Sequence, residues 1–203
     1  EKTASSAALR NADRRTARPS AISISAKRSP ILDGDRAGTS AYVHFRLSSI
    51  SSSTRSLADR PSASAWKLVT TASFDDGFAR LGEADWIIEA IVEQLDVKRG
   101  LLARVDQARR AGSIVSSNTS GIPIHVLAEG RSDDFRTHWL GTHFFNPPRY
   151  LHLLEIIPTA ETSRAVVDAV TSFADHHLGK GVVIAKDTPN FIGNHLALAG
   201  EVG

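Results

Sequence analysis

The chain predicts an α/β fold, an incomplete doubly wound sheet with helices on both faces, and three observations carry that expectation. Residues 86–92 form a nearly continuous apolar run, the pattern of a strand buried on both faces of a parallel sheet. Helical periodicity over residues 96–110 and 162–177 alternates with short apolar runs. Polar residues close the runs at 113–117 and 139–145, which puts them at the carboxyl ends of strands, where open α/β sheets bind ligands.

Residues 1–65 differ in character from the rest. They hold fifteen Ser, with eleven Lys/Arg against five Asp/Glu, a net charge of +6. The alternation Ala41-Tyr42-Val43-His44-Phe45-Arg46-Leu47 predicts a strand. Residues 14–19 and 28–30 read as coil, and residues 48–64 as a Ser-rich, low-complexity stretch. This segment is expected to be poorly ordered or non-native in origin. At Trp66 the pattern becomes regular. Residues 67–71 predict a strand, 74–81 a short helix and 86–92 a buried strand. Residues 96–110 predict a helix with Leu101, Leu102 and Val105 on one face, and 113–117 the next strand. A helix is expected over 123–129 with Pro123 near its first turn, then strands over 139–145 and 151–157. The long helix 162–177 ends at Gly179, residues 181–185 form a last strand, and Phe191 opens a further helix.

Composition narrows the function. The chain carries 24 Lys+Arg and 22 Asp+Glu, so its net +2 conceals a net of −4 after residue 65. The N-terminal arginines are scattered and no recognition motif accompanies them, so nucleic acid is not the expected partner. The chain has no cysteine, which removes disulfide and thiolate chemistry. No apolar run reaches membrane-spanning length, so no membrane partner is expected and the cytoplasm is the expected compartment. His138, His143, His176 and His177 fit no zinc spacing, and no metal is expected.

The chemistry gathers around His143-Phe144-Phe145-Asn146-Pro147-Pro148 and Glu155. An imidazole moves a proton near neutral pH, and a carboxylate on one ring nitrogen fixes its tautomer. Upstream lies Ser117-Asn118-Thr119-Ser120, and downstream the run from Lys186 through Thr188-Pro189-Asn190-Phe191 to Asn194. With Ala84-Asp85-Trp86-Ile87-Ile88-Glu89-Ala90-Ile91-Val92-Glu93 and Lys98, these segments stand in the order and near the spacings of one family. From about Trp66 onward the chain resembles the 3-hydroxyacyl-CoA dehydrogenases of fatty-acid β-oxidation.

That resemblance implies a Rossmann-like NAD-binding domain. It also implies hydride transfer from C3 of an acyl-CoA substrate to NAD, giving the 3-ketoacyl-CoA. It assigns His143 as the acid–base residue, Glu155 as its orienting partner, and Ser120 and Asn194 as hydrogen-bonding groups at the substrate hydroxyl. It places Glu93, Lys98, Ser117 and Asn146 near the nicotinamide end of the cofactor. Residues 66–188 correspond to the catalytic part of the NAD-binding domain, and 189–203 to the start of a helical domain. The intact family forms homodimers. One departure matters: a dinucleotide site needs G-x-G-x-x-G after its first strand, and residues 1–65 contain only Gly34 and Gly38. Weak NAD binding is therefore expected, and so is a sheet lacking its central strands, with residues 86–92 left at an open edge. Two rival readings follow: a non-catalytic remnant of the family, and a serine hydrolase using Ser120, His143 and Glu155. The second lacks the G-x-S-x-G elbow, since Ser120 sits in Ser-Asn-Thr-Ser-Gly.

Overall fold

The structure is a computed structural model that describes residues 20–26, 40–46, 69–70, 72 and 77–200, with side chains placed for 72 and 77–196. The strands are β1 (Ser20–Ala26), β2 (Ser40–Arg46), β3 (Val69–Thr70), β4 (Trp86–Ala90), β5 (Ile114–Ser117), β6 (Trp139–Phe144), β7 (Leu153–Pro158) and β8 (Gly181–Ile184). The helices are α1 (Leu95–Ala108), α2 (Ile124–Leu127), α3 (Asp133–Thr137), α4 (Arg164–Leu178) and α5 (Gly193–Gly200), with a 3-10 helix at Phe78–Glu83. The expected coil at 14–19 and 28–30 and the low-complexity stretch 48–64 lie outside the described residues, as do Gly34 and Gly38.

One sheet has the order β3-β2-β1-β4-β5-β6-β7-β8. β1, β4, β5 and β6 run parallel, and the direction reverses at β7, which pairs antiparallel with β6. β2 is antiparallel to both β1 and β3. The expected open edge at residues 86–92 is not found, because β1 pairs with β4 over five residues, Ala21 through Ser25 opposite Trp86 through Ala90. The alternation Ile22, Ile24 within Ser20–Ala26 was the available signal for this strand.

Period-two alternation divides the core into two layers. Ile87, Val115, Trp139 and Ile157 point to one face, where they meet Leu101, Leu102 and Val105 of α1 and Ile124, Leu127 and Phe135 of α2 and α3. Trp86, Leu140, Leu154 and Ile156 point to the other and meet Val166, Val167, Val170 and Ala174 of α4. The helix ends follow the sequence closely. Ser163 accepts a hydrogen bond from the Val166 amide at the start of α4, and Gly179 closes it at φ 64°. Pro123 is the N-cap of α2, beside its first turn as expected. α3 has no counterpart in the periodicity, yet Ser132 caps it by accepting from the Phe135 amide, and Asp133 and Asp134 supply its acidic first turn.

Gly141, in the middle of β6, faces the first layer. A Cβ there would lie 2.7 Å from Ile124 Cδ1 and 3.0 Å from Ile157 Cδ1, and both isoleucines are fully buried. Gly141→Ala is expected to lower unfolding stability by about 1–3 kcal/mol through overpacking, measured by urea denaturation. An unchanged midpoint would show that the layer has slack at this point.

Candidate active site

Four adjacent strands, β4 to β7, end or begin at one place, and each presents a polar residue there on the first-layer face. Glu89 is opposite Ser117 across β4 and β5, and His143 is opposite Glu155 across β6 and β7. Glu89, Ser117 and Glu155 are fully buried, and His143 is 5 % exposed. Ile87, Val115, Trp139 and Ile157 hold the same face deeper in the strands, so the polar groups gather at one end of it.

His143 Nδ1 is 2.7 Å from Glu155 Oε2. The other oxygen, Oε1, accepts from the amides of Ile192 at 2.9 Å and Gly193 at 2.8 Å. Those amides open α5, so the carboxylate sits at the positive end of that helix. The chain reaches them through two successive left-handed residues, Asn190 at φ 65° and Phe191 at φ 45°. Asn adopts that region readily, whereas Phe does so only when its surroundings hold it there. Phe191 is buried and its ring lies 6.0 Å from the His143 ring, with Phe145 on the imidazole at 4.6 Å. Gly193 leaves the space that the Phe145 ring fills. With the carboxylate accepting, Nδ1 carries the proton and Nε2 keeps its lone pair. Among the described residues nothing hydrogen-bonds to Nε2.

The second group of predicted residues lies on the loop after β5. Ser120 is exposed, and its carbonyl accepts from Asn194 Nδ2 at 2.8 Å, so the two are brought together. Asn118 Oδ1 accepts from the Phe144 amide at 2.9 Å, tying this loop to the end of β6. Among the described residues no hydrogen bond joins Ser120 Oγ to His143, so the Ser-His-Glu relay of the hydrolase reading is not assembled.

The third group stands beneath that loop. Glu93 Oε1 accepts from the Thr119 hydroxyl, the Ser120 amide at 2.9 Å and the Gly121 amide at 3.2 Å. Glu93 Oε2 lies 3.3 Å from Lys98 Nζ. Lys98 is fully buried on α1, and its ammonium also donates to Glu89 Oε1 at 2.8 Å and to the Ile91 carbonyl at 3.3 Å. Ser117 donates to the other Glu89 oxygen. Glu89 was passed over as a site residue, although a lone carboxylate inside an otherwise apolar strand run is itself a signal. Asn146 stands apart, exposed on the loop after β6 with no hydrogen bond among the described residues.

Partial burial pushes the Glu93 carboxyl upward, but the Thr119 hydroxyl, the Lys98 charge and the Ser120 amide together outweigh it and hold the group below its ordinary value. A depressed carboxylate contributes stability that is present above its unfolded pKa and lost as pH falls through the folded one. Stability is therefore expected to fall from the ordinary glutamate range downward, and Glu93→Gln is expected to flatten that part of the profile. Thermal melts of both proteins across acid pH check this; parallel profiles would exclude Glu93 as a source of the dependence.

Comparison with known proteins places this arrangement. The profile of a family described as 3-hydroxyacyl-CoA dehydrogenase, NAD binding domain, matches residues 39–188, beginning inside the Ser/Arg-rich segment. A probable 3-hydroxyacyl-CoA dehydrogenase of Bacillus subtilis (strain 168) is 58 % identical over 132 residues, covering 65 % of this chain and 17 % of that protein. A probable 3-hydroxyacyl-CoA dehydrogenase of Deinococcus radiodurans is 46 % identical over 152 residues, covering 73 % of this chain and 44 % of that protein. The crystal structure of 3-hydroxybutyryl-CoA dehydrogenase from Escherichia coli K12 superposes with a TM-score of 0.55 at 32 % identity, over 59 % of this chain and 25 % of that one. The chain thus spans less than half the length of these relatives, and with three quarters of its residues inside the matched region it belongs to the family of 3-hydroxyacyl-CoA dehydrogenase NAD-binding domains.

Proposed function

We propose that this chain carries the acid–base and substrate-orienting part of an NAD-dependent 3-hydroxyacyl-CoA dehydrogenase of fatty-acid β-oxidation, working in the cytoplasm on an acyl-CoA thioester. The observation that supports it most is the buried bond from His143 Nδ1 to Glu155 Oε2. It leaves Nε2 as the basic nitrogen. In the proposed reaction Nε2 takes the proton of the substrate 3-hydroxyl as the 3-ketoacyl carbonyl forms; bound NAD would accept the hydride of C3 and leave as NADH. Glu155 stabilises the resulting imidazolium, and its own charge is compensated by the Ile192 and Gly193 amides. In this reading Ser120 and Asn194 hydrogen-bond the same substrate oxygen, which their bond through the Ser120 carbonyl supports by keeping the two residues together. Among the described residues no helix is long and apolar enough to cross a membrane.

NAD supplies the hydride acceptor in this family's chemistry, and its two ends fare differently here. By the family resemblance Ser117 at the end of β5 and Glu93 just after β4 would stand at the nicotinamide end, with Lys98 of α1 behind them as the internal partner of Glu89 and Glu93. The pyrophosphate end does not fit. A dinucleotide site needs two parallel strands joined through a glycine turn and a helix whose N-terminus faces the phosphates. Here β1 and β2 are antiparallel over seven paired positions. Residues 1–65 offer no G-x-G-x-x-G. This mismatch also supports the second reading, a family member that has lost its chemistry.

His143→Gln and Glu155→Gln are each expected to lower kcat by on the order of 100-fold or more, the scale of losing a positioned acid–base group. Reduction of NAD by 3-hydroxybutyryl-CoA at high protein concentration measures it. Turnover by either variant near that of the parent removes these residues from the mechanism; no turnover by the parent favours the remnant. Calorimetric titration with NAD is expected to give no micromolar binding, and a micromolar dissociation constant would reveal another phosphate site.

A further inference from the structure

We propose that Glu89 is a positioning residue for the substrate loop: from beneath β4 and β5 it holds Lys98 and Ser117 and, through them, sets the turn 117–121 that carries Ser120. The inference rests on the reading above only in giving Ser120 a substrate to meet.

The two oxygens of Glu89 serve two routes. Oε1 accepts from Lys98 Nζ at 2.8 Å and from the Ile91 amide at 2.6 Å. Lys98 passes the charge on to Glu93, whose Oε1 gathers the Thr119 hydroxyl and the amides of Ser120 and Gly121. Oε2 accepts from Ser117 Oγ, and that oxygen in turn accepts from the Thr119 amide at 3.2 Å. A further bond runs from the Asn118 amide to the Glu89 carbonyl at 2.7 Å. Ser117 and Thr119 are thus within two hydrogen bonds of the Glu89 carboxylate, Ser120 and Gly121 within three links through Lys98 and Glu93, and Asn118 is held by the Glu89 backbone carbonyl.

A fully buried carboxylate is costly unless a cation and several donors meet it. Glu89 has one of the former and two of the latter. Among the described residues Lys98 is the charged group bonded to it, and the strand paired on the other side of β4, Ser20–Ala26, contains only Ser, Ala and Ile. Lys98 in turn has its donors taken by Glu89, Ile91 and Glu93. Its ammonium is spent inside the protein, which separates it from a cation free to reach a ligand. Two carboxylates sharing one ammonium also have a predictable electrostatic signature. Removing the Glu89 charge leaves Lys98 more fully available to Glu93, whereas removing Lys98 leaves Glu93 beside another anion.

The test follows the Ser120 and Gly121 amides by NMR in the full chain across acid pH, where they report the ionisation of Glu93. Glu89→Gln is expected to move their titration midpoint down, and Lys98→Met to move it up, each by about half a pH unit or more. A role confined to packing would not give displacements of opposite sign. Coincident midpoints, or displacements in one direction, overturn the proposal. The double variant Glu89→Gln/Lys98→Met leaves no unpaired buried charge and serves if a single variant fails to fold. In it the Thr119, Ser120 and Gly121 amide signals are expected to be displaced from the parent, and unchanged signals overturn the proposal. No substrate enters the experiment, so its failure leaves the reading of His143 standing, and failure of that reading leaves this test intact.

Discussion

The Glu155 carboxylate is the constraint on which this end of the molecule depends. One oxygen meets an imidazole on β6 and the other meets two amides at the start of α5, so a single buried anion joins the sheet, its reversed strand and the helix beyond. A buried charge with fewer partners would be strongly destabilising, and this one has three donors. Because the donors come from residues 143, 192 and 193, the carboxylate fixes a long-range geometry that no local propensity specifies. The left-handed pair Asn190–Phe191 belongs to the same constraint, since it turns the chain so that the next two amides point inward.

Much of this was legible in the residues. The apolar run at 86–92, the periodicity at 96–110 and 162–177, and the His143–Glu155 pairing all have counterparts in the structure, with element ends shifted by two residues at most. These features are encoded locally, by alternation, caps and glycine. What escaped was of two kinds. The strand at residues 20–26 lies in a Ser-rich segment whose composition argued against packing, and its pairing with β4 is a tertiary choice. Glu89 escaped because its meaning depends on partners nine and twenty-eight residues away, Lys98 and Ser117. A carboxylate in an apolar run announces that something must neutralise it, but the sequence alone does not say what.

The site also shows a division of labour between the two carboxylates deepest in it. Both are fully buried and both sit on the same face, yet one is met by an imidazole and helix amides and the other by an ammonium and a hydroxyl. The first environment fixes one nitrogen of an imidazole and leaves the other without a hydrogen-bond partner among the described residues. The second uses up its cation internally and exports only shape, the conformation of the 117–121 turn. Similar burial thus supports chemistry in one place and geometry in the other, and the identity of the partner decides which.

The reversal of direction between β6 and β7 has a consequence for how such chains are recognised. His143 and Glu155 face each other because two antiparallel strands pair in one register, and that register is held by Leu154, Ile156 and Ile157 seeking their layers. Residues 145–152 join the strands, with Phe145 packed on the imidazole. Beyond Phe145 the loop can lengthen or shorten without separating the pair, so long as the alternation on either side is kept. The twelve-residue interval is therefore an accident of one loop, while the facing positions are inherited. A search keyed to the interval would discard true kin, whereas one keyed to a histidine and a glutamate on opposed inward positions would retain them.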